Sequence, residues 1–275
     1  MTHLDFPTLA DPGTGTARRA GCLELESPAI WPGRQTLLFA PTSQRLSYFD
    51  QTAVIEAQQM QAMLHLAPGL ALELEELALT SSNWQINDRS GPLLGAASLR
   101  MAMQQTVKAE TYRIELSADD FASAPKLTAL MSQTSGLPRT FEALKGEMDV
   151  TFDHVWDRAA IELRRPQPRH IALTRANAHW GDLKIKATGV LSVDEHGLPT
   201  GVVFLQVENW RDMLEGVERS GALPYQDRVG VERLLALFAG LGGNPEDLET
   251  QLNFRDGMVA LGPIPLGPAP RLVLR

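Results

Sequence analysis

Four of the six histidines, His154, His170, His179 and His196, fall within one stretch together with Asp153, Asp157 and Asp182, residue types able to hold a divalent metal or trade protons. A structural metal site needs three or four ligands that converge, and the spacings that achieve this are absent: no helical His-x-x-x-His and no Cys/His knuckle occur. Hydrogen-bonded or solvated histidines are therefore expected, with no metal and no cofactor. Cys22 stands alone in AGCLELE. Its acidic company raises a thiol pKa and dulls the nucleophile, and a single cysteine excludes an intrachain disulfide or a Cys-x-x-Cys redox pair. No Gly-x-Ser-x-Gly elbow is present. The carboxylate pairs Glu75-Glu76, Asp119-Asp120 and Glu246-Asp247 are sequence neighbours, better suited to a bulge, a turn or a helix start than to acid–base work. GLGGNP lacks the Gly-Lys-Ser/Thr of a phosphate loop and reads as a helix stop. A non-catalytic chain is the expectation.

The elements that would position any site are mostly strands. Residues 183–193 and 201–208 read as two long strands joined by an Asp-Glu-His-Gly turn, and Asp256-Gly257 marks a further hairpin. Met60, Ala62, Leu64 and Leu66 alternate with polar neighbours, Pro68-Gly69 turns the chain, and Leu70, Leu72 and Leu74 alternate again. Glu75 and Glu76 shift the phase before Leu77 and Leu79, as a β-bulge would. Strands are also predicted over 97–107, 111–116 and 144–152, the last with Leu144, Met148, Val150 and Phe152 on one side. Helices are predicted over 119–131, over 210–219 behind Asn209 as N-cap, and over 226–240, where Leu234, Leu235, Phe238 and Leu241 recur at helical spacing before three glycines. Asn244-Pro245 reads as a cap opening a short turn.

The fold class is thus mostly β (α+β): an elongated, curved antiparallel sheet with long hairpins and about three covering helices. Residues 1–35 are expected to be irregular, with at most a short strand at 23–26, and residues 36–275 to form a single β-rich domain. A net charge of −8 argues against nucleic acid as a partner, because phosphate tracking needs clustered cations. Arg164-Arg165 with Arg169, broken by Pro166 and Pro168, reads as a solvated turn. No apolar run is long enough to span a bilayer and no secretory signal is visible at MTHLDFP.

The segment ELRRPQPRHIALTRANAHWGDLKIKATGVLSVDEHGLPTG, with Asn209-Trp210, Gly242-Gly243-Asn244-Pro245 and the Gly262 to Pro268 tail, resembles an alphaproteobacterial family of unknown function, numbered twenty-one twenty-five. The resemblance runs from about residue 36 to the end. It implies a periplasmic or envelope setting, although members usually open with a hydrophobic export or anchor segment that this chain lacks, so a truncated start or a cytoplasmic variant is expected. The hairpin style is also similar, more distantly, to AsmA-type envelope proteins with lipid grooves.

Strand alternation ordinarily means core packing, but methionines at several of these positions suit an adaptable apolar surface. The expected function is therefore binding of a lipid or other hydrophobic small molecule in a sheet-lined groove. Leu64, Leu72, Met101, Met103, Met148, Val150, Ile185 and Leu191 are the candidate lining. The alternative is a scaffold whose edge strands pair with an envelope protein partner.

Overall fold

The computed structural model describes residues 34–39, 44–48, 51–88, 91–122, 140–211, 225–241, 246–262 and 264–274, together with four short strands in the first 26 residues. Those four are β1 (Thr2–Asp5), β2 (Thr8–Asp11), β3 (Thr16–Arg19) and β4 (Cys22–Glu26), so a segment expected to be irregular carries strands. Then come β5 (Arg34–Phe39), β6 (Gln44–Tyr48), β7 (Gln51–Leu66), β8 (Leu74–Asp88), β9 (Gly91–Gln105) and β10 (Thr111–Phe121). After them follow β11 (Phe141–Phe152), the one-turn helix α1 (Ala159–Glu162), β12 (Pro168–Trp180), β13 (Leu183–Val193) and β14 (Pro199–Glu208). The chain closes with helix α2 (Tyr225–Leu241), β15 (Asp247–Arg255), β16 (Met258–Leu261) and β17 (Ile264–Pro268).

All seventeen strands belong to one antiparallel sheet. From β7 to β17 every strand pairs with the next in sequence, which makes a meander. On the other edge of the long β7, its first half pairs with β6 and its second half with β5; β5 continues to β4 and β1, and β6 to β3 and β2. Among the described residues no pairing joins the two ends, and the sheet is open.

Several sequence expectations hold in detail. His65 pairs with Glu76 and Leu66 with Leu74, which leaves Glu75 as the extra residue of a bulge. Its carboxylate takes the His65 ring at 3.2 Å. Asp256 and Gly257 both have positive φ, as a two-residue hairpin between twisted strands requires. Helix α2 matches the predicted 226–240 closely.

Other expectations are corrected. Leu70 and Leu72 are not in a strand: Leu70 is 92% exposed, Leu72 has φ 52°, and the partner of β7 begins at Leu74. The helix predicted over 119–131 does not begin at 119, because Asp119 and Phe121 pair with Ala143 and Phe141 in β10–β11; residues 123–131 lie outside the described residues. Of the helix predicted over 210–219, Trp210 and Arg211 are helical and the rest lies outside the described residues, as do Asn244 and Pro245. At the position expected to cap that helix stands Asn209. It adopts φ 61° and its amide donates to the Asp182 carbonyl at 2.7 Å. Among the described residues the expected three covering helices reduce to α2, the one-turn α1 and the helical pair Trp210 and Arg211. No helix here is long and apolar enough to cross a membrane.

Candidate functional site

Successive side chains of a strand point to opposite faces, and register aligns them across strands. Following the pairings, Leu79, Met101, Leu116, Gly146, Ala176 and Ala187 form one transverse row that ends on Leu205, and every one of them is half-buried. Packed clusters flank this row on the same face. On one side, Leu74, Met103, Tyr112, Val150 and Phe152 are buried, with Leu64, Ile114, Met148 and Trp156 against them. On the other side, α2 lays Leu235 and Ala239 onto Trp180, Leu183, Val207, Trp210 and Leu248. A third cluster joins Trp84, Ala96 and Ala118 to Leu99, Phe121 and Leu144.

The row between these clusters is shallow because its middle residues are small. A Cβ added to Gly146 would meet nothing within 4 Å. The apolar face thus carries a furrow, with covering pieces standing on either side of it.

Of the predicted lining residues, the structure brings Leu64, Met103, Met148 and Val150 together, within the packed cluster. Ile185 packs against the α2 cluster, Met101 lies in the half-buried row, Leu191 is half-buried on β13, and Leu72 lies in the β7–β8 turn. The residues that line the furrow itself, Leu116, Gly146, Ala176 and Ala187, are not among those expected. Glycine and alanine at alternating strand positions read as weak core signals, although their absent bulk is what leaves the space.

The opposite face is wet and also hollowed. Three hollows of about 700, 730 and 620 Å³ follow one another across it. In the second hollow each strand contributes a member of the apolar row together with one or both of its wet-face neighbours, for example Lys145 and Glu147 around Gly146, and the side chains of those neighbours stand on the polar side. The first and second hollows share Arg175 and Asn177, and the second and third share Thr80 and Arg100, so the three form one trough.

Ion pairs stud this face. Arg175 meets Glu147 at 3.0 Å, Arg113 grips Asp149 through two nitrogens at 3.0 and 3.3 Å, and Lys186 and Lys184 share Glu208 at 3.0 and 3.2 Å. The Asp149 carboxylate raises the Arg113 pKa, and Lys186 with Lys184 lowers that of Glu208.

Within the histidine-rich stretch, His154 belongs to an ion-pair network and the other three histidines are exposed. Asp153 holds His154 at 2.7 Å, Arg164 at 2.7 Å and Arg169 at 3.4 Å, and accepts the Gln167 backbone N–H at 2.8 Å. Gln167 in turn mimics a strand neighbour for the C-terminal tail, donating to the Leu274 carbonyl and accepting from its N–H. Among the described residues no three His, Cys, Asp or Glu side chains gather as metal ligands.

Fold and faces together define a single-sheet, antiparallel β protein with an apolar furrow on one side and a polar trough on the other. The chain belongs to the bacterial family described as "Uncharacterized protein conserved in bacteria (DUF2125)", whose model matches residues 2–270. No curated protein and no solved structure matches it.

Proposed function

We propose that this protein is a non-catalytic carrier or shield for an elongated hydrophobic ligand, a lipid chain, laid in the furrow of the apolar face, and that it works in the bacterial envelope as its sequence resemblance implies. The observation that carries the reading is the half-buried row from Leu79 to Leu205 with open space above Gly146, flanked by packed clusters. Covering such a strip with an acyl chain removes apolar area from water at about 25 cal/mol per Å². A strip a few residues wide and several strands long suits a chain better than a compact ligand.

The edge-strand scaffold has less behind it. At the β17 edge, Pro265 and Pro268 lack the N–H groups that strand addition needs.

Native mass spectrometry of gently purified protein, with extraction of whatever is released, tests the carrier reading. Near-stoichiometric lipid, reduced in Gly146→Leu, is the expected result; that variant puts bulk into the furrow at a position where a Cβ meets nothing within 4 Å. A clean apo mass that takes up no lipid from phosphatidylglycerol vesicles overturns it.

A further inference from the structure

The trough on the wet face asks for a different ligand. Register places Thr80, Arg100, Ser117, Lys145, Asn177 and Lys186 in one transverse row. Neighbouring strands lie roughly 4.8 Å apart, so the cations of this row, on alternate strands, recur at about 10 Å with a neutral hydrogen-bonding residue between each pair. Beyond Lys186 the row runs on through Gln206 to Glu249, its first carboxylate. Lys186 is held by Glu208, whereas Arg100 and Lys145 make no ion pair among the described residues. The adjacent row brings Glu115 and Glu147 into the same hollow, and Arg175 takes up Glu147. Three cations therefore face two carboxylates in a chain whose net charge is −8.

Further along, Phe204 occupies a wet-face position and is 57% exposed, forming part of the first hollow beside Thr188, Gln206 and Gln251, with Lys186 and Glu249 as opposite charges in the same hollow. An exposed aromatic surface among amides and hydroxyls is suited to a ligand with apolar faces and many hydroxyl groups.

We propose that the trough is a binding site for an extended acidic glycan, with its acidic groups at Arg100 and Lys145 and a pyranose face on Phe204. The trough's length calls for a polymer. Its amide and hydroxyl lining calls for hydroxyls, and its two unengaged cations call for carboxylates or phosphates at intervals. An extended pyranose advances by about one strand spacing, so an acid on every second sugar meets a cation on every second strand. Nucleic acid fits less well, because two free cations supply little of the phosphate neutralisation on which such affinity rests. The cations and Phe204 of this site belong to rows other than the apolar one, whose members Leu79, Met101, Leu116 and Gly146 line the same stretch of sheet.

The test is titration calorimetry with a hyaluronan octasaccharide, which carries glucuronate on every second sugar, alongside neutral chitohexaose and the oligonucleotide dT12. Binding of the acidic octasaccharide is expected, weakened by salt. It should be about tenfold weaker in Lys145→Gln or Arg100→Gln, the loss of one charge-assisted contact, and largely restored in Lys145→Arg. Phe204→Ser should weaken the acidic and neutral sugars alike. All of these residues are exposed or half-buried outside the packed clusters, and unchanged circular dichroism would confirm that the variants fold. Absence of octasaccharide binding, binding indifferent to Arg100 and Lys145, or tighter binding of dT12 overturns the proposal.

Discussion

Tyr112 closes one end of the apolar face. Its ring is fully buried, meets Phe152 edge-on with centroids 5.9 Å apart, and its hydroxyl donates to the Leu74 carbonyl at 2.9 Å, tying the start of β8 to β10. Burial pushes its pKa up to about 12. Tyr112→Phe leaves that carbonyl without its partner and is expected to lower stability by about 1–2 kcal/mol, read as a drop in the urea midpoint; an unchanged midpoint would show the bond to be idle. Asp153 acts through charge instead. Partial burial pushes its pKa up, but the Gln167 N–H and the Arg164 and His154 charges pull harder, and the net shift is downward. A carboxylate depressed in the native state contributes stability that is present above its unfolded value near 3.9 and lost as pH falls through the native one. Wild type should therefore lose more stability between pH 7 and pH 3 than Asp153→Asn, in paired denaturation curves. Equal losses would mean that the network around Asp153 is not coupled to folding.

Among the elements, the β13–β14 hairpin shows how little tolerance close strands leave. A Cβ on Gly189 would run into the Val202 carbonyl and lie 2.7 Å from Val203 Cα, whereas one on Gly146, two strands away, meets nothing. Gly189→Ala is expected to cost about 1–3 kcal/mol and Gly146→Ala to be neutral or mildly stabilising, a contrast that thermal melts of the two variants would expose. Equal melting temperatures would remove the argument for open space above Gly146. This hairpin was also the most legible element in the sequence, its strand at 183–193 matching β13 residue for residue, because alternation and turn chemistry are local signals. The bulge at Glu75 was legible for the same reason. By contrast, β10 runs on through Asp119 and Phe121, which resemble the start of a helix, because Ser98 opposite Asp119 and Phe141 opposite Phe121 hold that stretch in the sheet. The Ser98 hydroxyl reaches the Asp119 carboxylate at 2.6 Å. A partner twenty or more residues away leaves no mark on local periodicity.

At the level of the whole molecule, alternation told which residues share a face but not which face is hollow, since curvature is set by bulges and pairing across the sheet. The expected lining residues consequently lie mostly in packed clusters, and the polar trough leaves a single local signal in the sequence, Phe204 at a wet position. The same openness has a measurable consequence. The chain exposes 15862 Å², against about 11,700 Å² for a compact monomer of its mass. A single meandering sheet contributes to the excess: most strands have neighbours only to left and right, and α2 with the β11–β12 connection covers the ends of one face. Small-angle scattering should therefore give a radius of gyration clearly above the roughly 19 Å of a compact chain of this length. A value at that compact limit would mean that the sheet folds over on itself or is covered in solution. Both the furrow and the trough would then be closed to the extended ligands assigned to them.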